Sequence, residues 1–145
     1  MQLLLPLLLL GALAWMIWYL GGGSFGRAQT QAWIDHLRAM PRLYVFLDRN
    51  HGKFRAAMHY VEFGGLFLAL YWLQDAAIGG GEFAFRGLPS AIIASACAVA
   101  ALLDEMHQLK SGTRQFRRVD FLHSCCGIAI AMALVFLQSV AREIE

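Results

Sequence analysis

Residues 3–20 read LLLPLLLLGALAWMIWYL, an apolar run unbroken by any charged side chain. At about 1.5 Å of helical rise per residue, such a run is long enough to cross roughly 30 Å of hydrocarbon. A cleaved signal peptide is the competing reading, because Ala12-Leu13-Ala14 imitates an A-x-A cleavage site. Against it, no Lys or Arg precedes the run, and Trp15 to Leu20 prolong it past any such cut. The expectation is an uncleaved membrane helix, ended by Gly21-Gly22-Gly23-Ser24.

The composition of the whole chain agrees. Of its 145 residues 59% are hydrophobic and 15% charged, against about 45–50% and about 25% in soluble domains. Mean hydropathy is +0.52. The length suits a single domain. A net charge of +2 with no basic stripe excludes a nucleic-acid binder. Cys97, Cys125 and Cys126 lie in apolar runs and form no CxxC, so they are expected to be packing residues.

Three further apolar stretches follow, at about 56–73, 88–103 and 121–140, so the four expected spans begin with about 3–20. The third is rich in small residues such as Ala94, Ser95 and Ala98, which let another helix approach closely. Between the first two spans, Trp33, Ile34, Leu37 and Met40 recur at helical spacing before Pro41. That pattern predicts a short amphipathic helix, lying in the membrane interface or packed on the protein. Leu43 to Leu47 is too short to span and is expected to dip into the interface or the bundle. The expected fold is an all-α integral membrane protein: four transmembrane helices in an antiparallel bundle, with an interfacial helix in the first loop.

Ten of the 12 Lys and Arg residues fall in the connections after the first and third spans. Arg86 and Arg142 are the other two. The positive-inside rule then places those connections in the cytoplasm and both termini outside.

Ionisable groups are expensive in hydrocarbon and mark functional positions. His59-x-x-Glu62 enters the second span with both side chains on one helical face, followed by Gly64-Gly65. Asp104-Glu105-Met106-His107-Gln108 leaves the third span, with Glu105 and Gln108 sharing a face and His107 expected to point elsewhere. Arg114, Arg117, Arg118 and Asp120 lead into the fourth. In an antiparallel layout all three groups lie at one membrane side. His59, Glu62, Glu105, Gln108, Arg114 and Asp120 are therefore expected to converge on one polar pocket. Plainer roles remain open for each: a helix cap for Asp120, interfacial anchoring for Arg117 and Arg118, interhelical hydrogen bonds for His123 and Ser124.

These residues carry a resemblance. His59-Tyr60-Val61-Glu62-Phe63 is similar to the H-x-x-E-[YF] segment of the VanZ-like membrane proteins. Asp104-Glu105-x-x-Gln108, then Arg114, Asp120 and Gly127, resembles that family's D-E-x-x-Q-x5-R-x5-D-x6-G signature. Three positions depart from it. Ala56 stands where a Lys is frequent, Gly112-Thr113 precedes Arg114 in place of Pro-Gly, and Ser124 replaces a common Asn. The resemblance implies a small, multi-pass cell-envelope protein of the bacterial cytoplasmic membrane, in a family associated with glycopeptide (teicoplanin-type) resistance.

Three uses of the pocket follow. The first is binding of an anionic lipid or lipid-linked glycan, gripped by Arg114 and oriented by Glu105, Gln108 and Asp120. The second is a membrane-embedded enzyme acting on a lipid phosphate by phosphoryl or acyl transfer. There His59 serves as base or nucleophile, oriented by Glu62. The third is a metal held by His59, Glu62, Glu105 and His107; their spacing matches no strong metal motif, so no metal and no other cofactor is expected. A purely structural cluster is the remaining alternative. Membrane lipids are the expected partners.

Overall fold

The computed structural model describes residues 3–21, 27–78, 85–110 and 117–144. Every regular element among them is helical: α1 (Leu4–Gly21), α2 (Arg27–His36) with a single 3-10 turn (Leu37–Ala39), α3 (Pro41–Arg49), α4 (His51–Ile78), α5 (Gly87–Lys110) and α6 (Arg118–Ile144). Gly22 to Ser24, expected to end the first helix, lie outside the described residues, as does Arg114.

The four apolar stretches read from the sequence fall inside α1, α4, α5 and α6. Two of these helices, Gly87–Lys110 and Arg118–Ile144, are long and apolar enough to cross a membrane, with mean hydropathies of 1.7 and 2.0 over their most apolar 18 residues. Only 17% and 28% of their apolar windows are buried inside the fold, so most of that surface faces outward. The core helix of a water-soluble protein buries its apolar face inside the molecule. Leu102, Ile130, Leu134 and Leu137, all exposed, show the opposite arrangement.

The connection between α1 and α4 differs in detail from the sequence expectation. Pro41 opens α3 at its first turn, a position where the missing N–H costs nothing. The segment therefore holds two short helices rather than one stopped by Pro41. Gln31 donates to Asp48 (3.0 Å) and ties α2 to α3. Ile34 is buried, whereas Met40 is exposed. Leu43, Val45 and Phe46 are exposed as well, so this run does not dip into the bundle. Asn50 joins α3 to α4: its backbone and side-chain N–H groups both donate to Phe46, and its carbonyl accepts from Phe54.

The most extensive packing is between α4 and α6, and the partners keep a nearly constant offset in sequence. Arg55 meets Asp120, His59 meets Ser124, and Tyr60 and Gly64 meet Gly127. A constant offset means that the two helices run parallel. α5 runs antiparallel between them, consistent with an up–down–up order. The crossing is close enough that no side chain fits at its centre. A Cβ on Gly127 would lie 2.6 Å from the Tyr60 carbonyl oxygen, and one on Gly64 2.9 Å from the Gly127 carbonyl oxygen. Beyond the crossing, Phe63, Phe67 and Tyr71 of α4 pack with Cys97 and Ala101 of α5 and Ile128, Ala131 and Val135 of α6. α1 lies against the other side of α4, where Leu13 covers Gly65. Of the cysteines, Cys97 is buried as expected, but Cys126 faces outward.

Replacing Gly127 by Ala therefore forces α4 and α6 apart and is expected to cost about 1–3 kcal/mol. Gly52→Ala, where nothing lies within 4 Å of the added Cβ, is expected to be neutral or to stabilise by up to about 1 kcal/mol. Thermal unfolding of both variants in detergent separates the two outcomes.

Candidate functional site

The parallel pairing of α4 with α6 brings residues 55–62 of α4 beside the first two turns of α6. α4 presents Arg55, His59 and Glu62, spaced four and three residues apart and so stacked along one face. α6 presents Asp120 and Ser124, again one turn apart. The last turns of α5 supply Glu105 and Gln108 from the opposite direction. His59, Glu62, Glu105, Gln108, Asp120 and Ser124 are all buried.

Asp120 is held by an ion pair to Arg55, whose side chain is itself largely buried. Sequence reasoning expected Asp120 among the ligand-binding residues, with helix capping as its plain alternative. In the structure its carboxylate reaches across to Arg55 of α4. Ser124 donates to the Asp120 backbone carbonyl (3.2 Å), and its Oγ lies 3.3 Å from His59 Nδ1. Glu62 Oε2 is 4.0 Å from the same ring nitrogen. A serine–histidine–acid relay needs the hydroxyl and the carboxylate on opposite imidazole nitrogens. Here both approach Nδ1, so the arrangement orients the ring and does not build a serine nucleophile.

Glu105 is the most deeply buried carboxylate among the described residues, 2% exposed. Its Oε2 accepts from the Arg117 backbone N–H (3.2 Å), just ahead of α6. An N–H at a helix N-terminus is a favourable donor for a negative charge. Its other oxygen, Oε1, is buried with no hydrogen-bond partner. Arg55 Nε is in the same position. One ligand atom each from His59, Glu105 and Asp120 lies within 4.8 Å of the others.

Five of the six expected site residues thus gather at one end of the bundle, and the sixth, Arg114, lies outside the described residues. Gln108 is buried on the same side of α5 as Glu105, and its amide donates to Asp104 (2.7 Å). His107 is exposed, as its neighbours implied. His123 packs against Tyr60 with ring centroids 5.5 Å apart and planes tilted by 46°. Arg55 was not singled out from the sequence. The signal was present as the i, i+4, i+7 spacing of Arg55, His59 and Glu62, but the residue also counted among the basic loop charges. A second buried polar group, Tyr71, Asp75 and Ser90, lies toward the other end of α4 and was not anticipated.

Comparison of the chain with protein-family models, with curated proteins and with solved structures finds no match in any of the three.

The Arg55–Asp120 pair is sheltered enough for a measurable coupling. In a double-mutant cycle with Arg55→Gln and Asp120→Asn, each single change is expected to destabilise. The pair is expected to show a coupling of about 0.5–3 kcal/mol. Strictly additive unfolding energies would remove the ion pair from this account.

Proposed function

We propose that the chain is a VanZ-like, multi-pass protein of the bacterial cytoplasmic membrane whose buried polar end receives the headgroup of an anionic lipid or lipid-linked glycan. In this reading α1, α4, α5 and α6 all cross the membrane. The observation that supports it is the gathering of His59, Glu62, Glu105, Gln108 and Asp120 where three apolar helices converge. So many ionisable groups are not placed among outward-facing apolar helices without a polar occupant or a close set of partners. Around them the rim is cationic, with Lys53, Lys110, Arg117 and Arg118 exposed. A headgroup with a phosphate and several hydroxyl or amine groups matches that division. The phosphate meets the rim, with Arg114 gripping it as the sequence motif suggests. Hydroxyls or amines meet Glu105, Gln108 and Asp120. A contribution to glycopeptide resistance follows if the bound glycan is the antibiotic's target.

A second reading, an enzyme that transfers a phosphoryl or acyl group on the same lipid, is favoured by the placement of Glu62 beside His59. Glu62 orients the imidazole, and His59 then acts as base or nucleophile.

Native mass spectrometry of protein purified from membranes in mild detergent tests both. A phosphate-bearing lipid is expected on the wild type and absent from a folded Arg114→Ala variant. Identical, unselective lipids on both would count against the binding reading. Turnover of that lipid, abolished by His59→Ala, would identify the enzyme. The four-span layout predicts that the protein stays in the membrane pellet after alkaline carbonate washing.

A further inference from the structure

The geometry points to a divalent metal site formed by His59 of α4, Glu105 of α5 and Asp120 of α6. The three residues are 5%, 2% and 4% exposed, and each has a ligand atom within 4.8 Å of the other two. Two metal ligands on opposite sides of an ion at about 2.0–2.2 Å are about 4.2 Å apart. Only one pair can lie opposite, and neighbouring ligands of one ion are about 3.0–3.6 Å apart, so the three side chains reach coordination by closing in by up to about 1–2 Å.

Proximity of acidic groups alone does not identify such a site; the Glu105 carboxylate supplies the second observation. Its Oε1 is fully buried and has no hydrogen-bond partner. An unpaired, buried carboxylate oxygen is costly. Among the described residues no hydrogen bond reaches it: Arg55 pairs with Oδ2 of Asp120, and the Arg117 backbone N–H goes to Oε2. A cation between Glu105, Asp120 and the imidazole satisfies that oxygen. The surroundings also resemble the outer shell of a metal site. Arg55 fixes the orientation of the Asp120 carboxylate, while Ser124 and Glu62 flank Nδ1 of the histidine.

One imidazole nitrogen with two carboxylates is a mixed N/O set, which suits Mn²⁺, Fe²⁺ or Zn²⁺ better than the all-oxygen preference of Ca²⁺ or Mg²⁺. Three protein ligands leave coordination positions open for water or for an oxygen of a bound headgroup. The ligands come from three helices, so the ion would also fasten α4, α5 and α6 at this end. The sequence suggested a different set, with Glu62 and His107. His107 is exposed on α5, and Asp120 takes a place that spacing did not assign.

The test uses the full chain in detergent. Elemental analysis of wild type is expected to find about one Mn, Fe or Zn ion per chain. After chelation, added Mn²⁺ or Zn²⁺ is expected to restore binding and raise the unfolding temperature. Glu105→Gln, which keeps size and removes charge, is expected to weaken Mn²⁺ affinity by about 10-fold or more, since even outer-shell changes cost about that much. His107→Ala is expected to bind as wild type does. Electron spin-echo spectra of the Mn²⁺-loaded wild type are expected to show coupling to a histidine nitrogen. If Glu105→Gln fails to fold, that nitrogen signal, lost in His59→Ala and kept in His107→Ala, decides the matter. Wild type with neither bound metal nor a response to added ions overturns the proposal, as does Mn²⁺ binding unchanged in a folded Glu105→Gln. The readout is independent of any lipid, so loss of the metal site and loss of the headgroup reading are distinguishable.

Discussion

The closeness of α4 and α6 governs the geometry of this protein. Gly127 lets the Tyr60 backbone approach to a distance that excludes even a methyl group, and Gly64 repeats the arrangement one turn further on. Close backbone packing and polar contacts join the two helices. The same approach carries residues 55–62 of α4 beside the first turns of α6. His59 sits one turn before Gly64 and Ser124 just before Gly127, so the imidazole and the hydroxyl meet only because the glycines do. Widening the crossing by the thickness of one side chain would separate every polar contact between α4 and α6.

A polar cluster in this setting faces two opposed demands. The apolar exterior of α5 and α6 suits hydrocarbon, where an uncompensated charge costs several kcal/mol. The interior end holds carboxylates from three helices, an imidazole and a guanidinium. Part of the conflict is resolved within the chain. Arg55 pairs Asp120, the Arg117 N–H meets Glu105, and Gln108 meets Asp104. Among the described residues of the cluster, Glu105 Oε1 and Arg55 Nε are left without a hydrogen-bond partner.

Much of the fold was legible in the sequence because apolar length and helical periodicity are one-dimensional signals, and both can be counted. All four apolar runs became helices, and the convergence of His59, Glu62, Glu105, Gln108 and Asp120 followed from their places at helix ends. The first connection was less legible. Pro41 reads equally well as a stop for one helix or the first turn of the next, and only the chain path chose the second. Arg55 escaped notice for a related reason. A basic residue near a membrane helix end is commonplace as an interfacial anchor, and nothing local says that it turns inward to a carboxylate 65 positions away.

The sequence by itself determined where helices form and which faces carry charge, since helical periodicity and apolar length are properties of contiguous residues. Only the tertiary structure decided which faces meet. Parallel pairing of α4 with α6 is a choice among helix neighbours that no local pattern encodes, and it rests on the steric fit of Gly127 against Tyr60. That fit placed Asp120 beside Arg55 and His59, left His107 outside, and buried one oxygen of Glu105 without a partner. Chemistry at this site depends on distances between residues remote in sequence, and those distances exist only once the helices have packed.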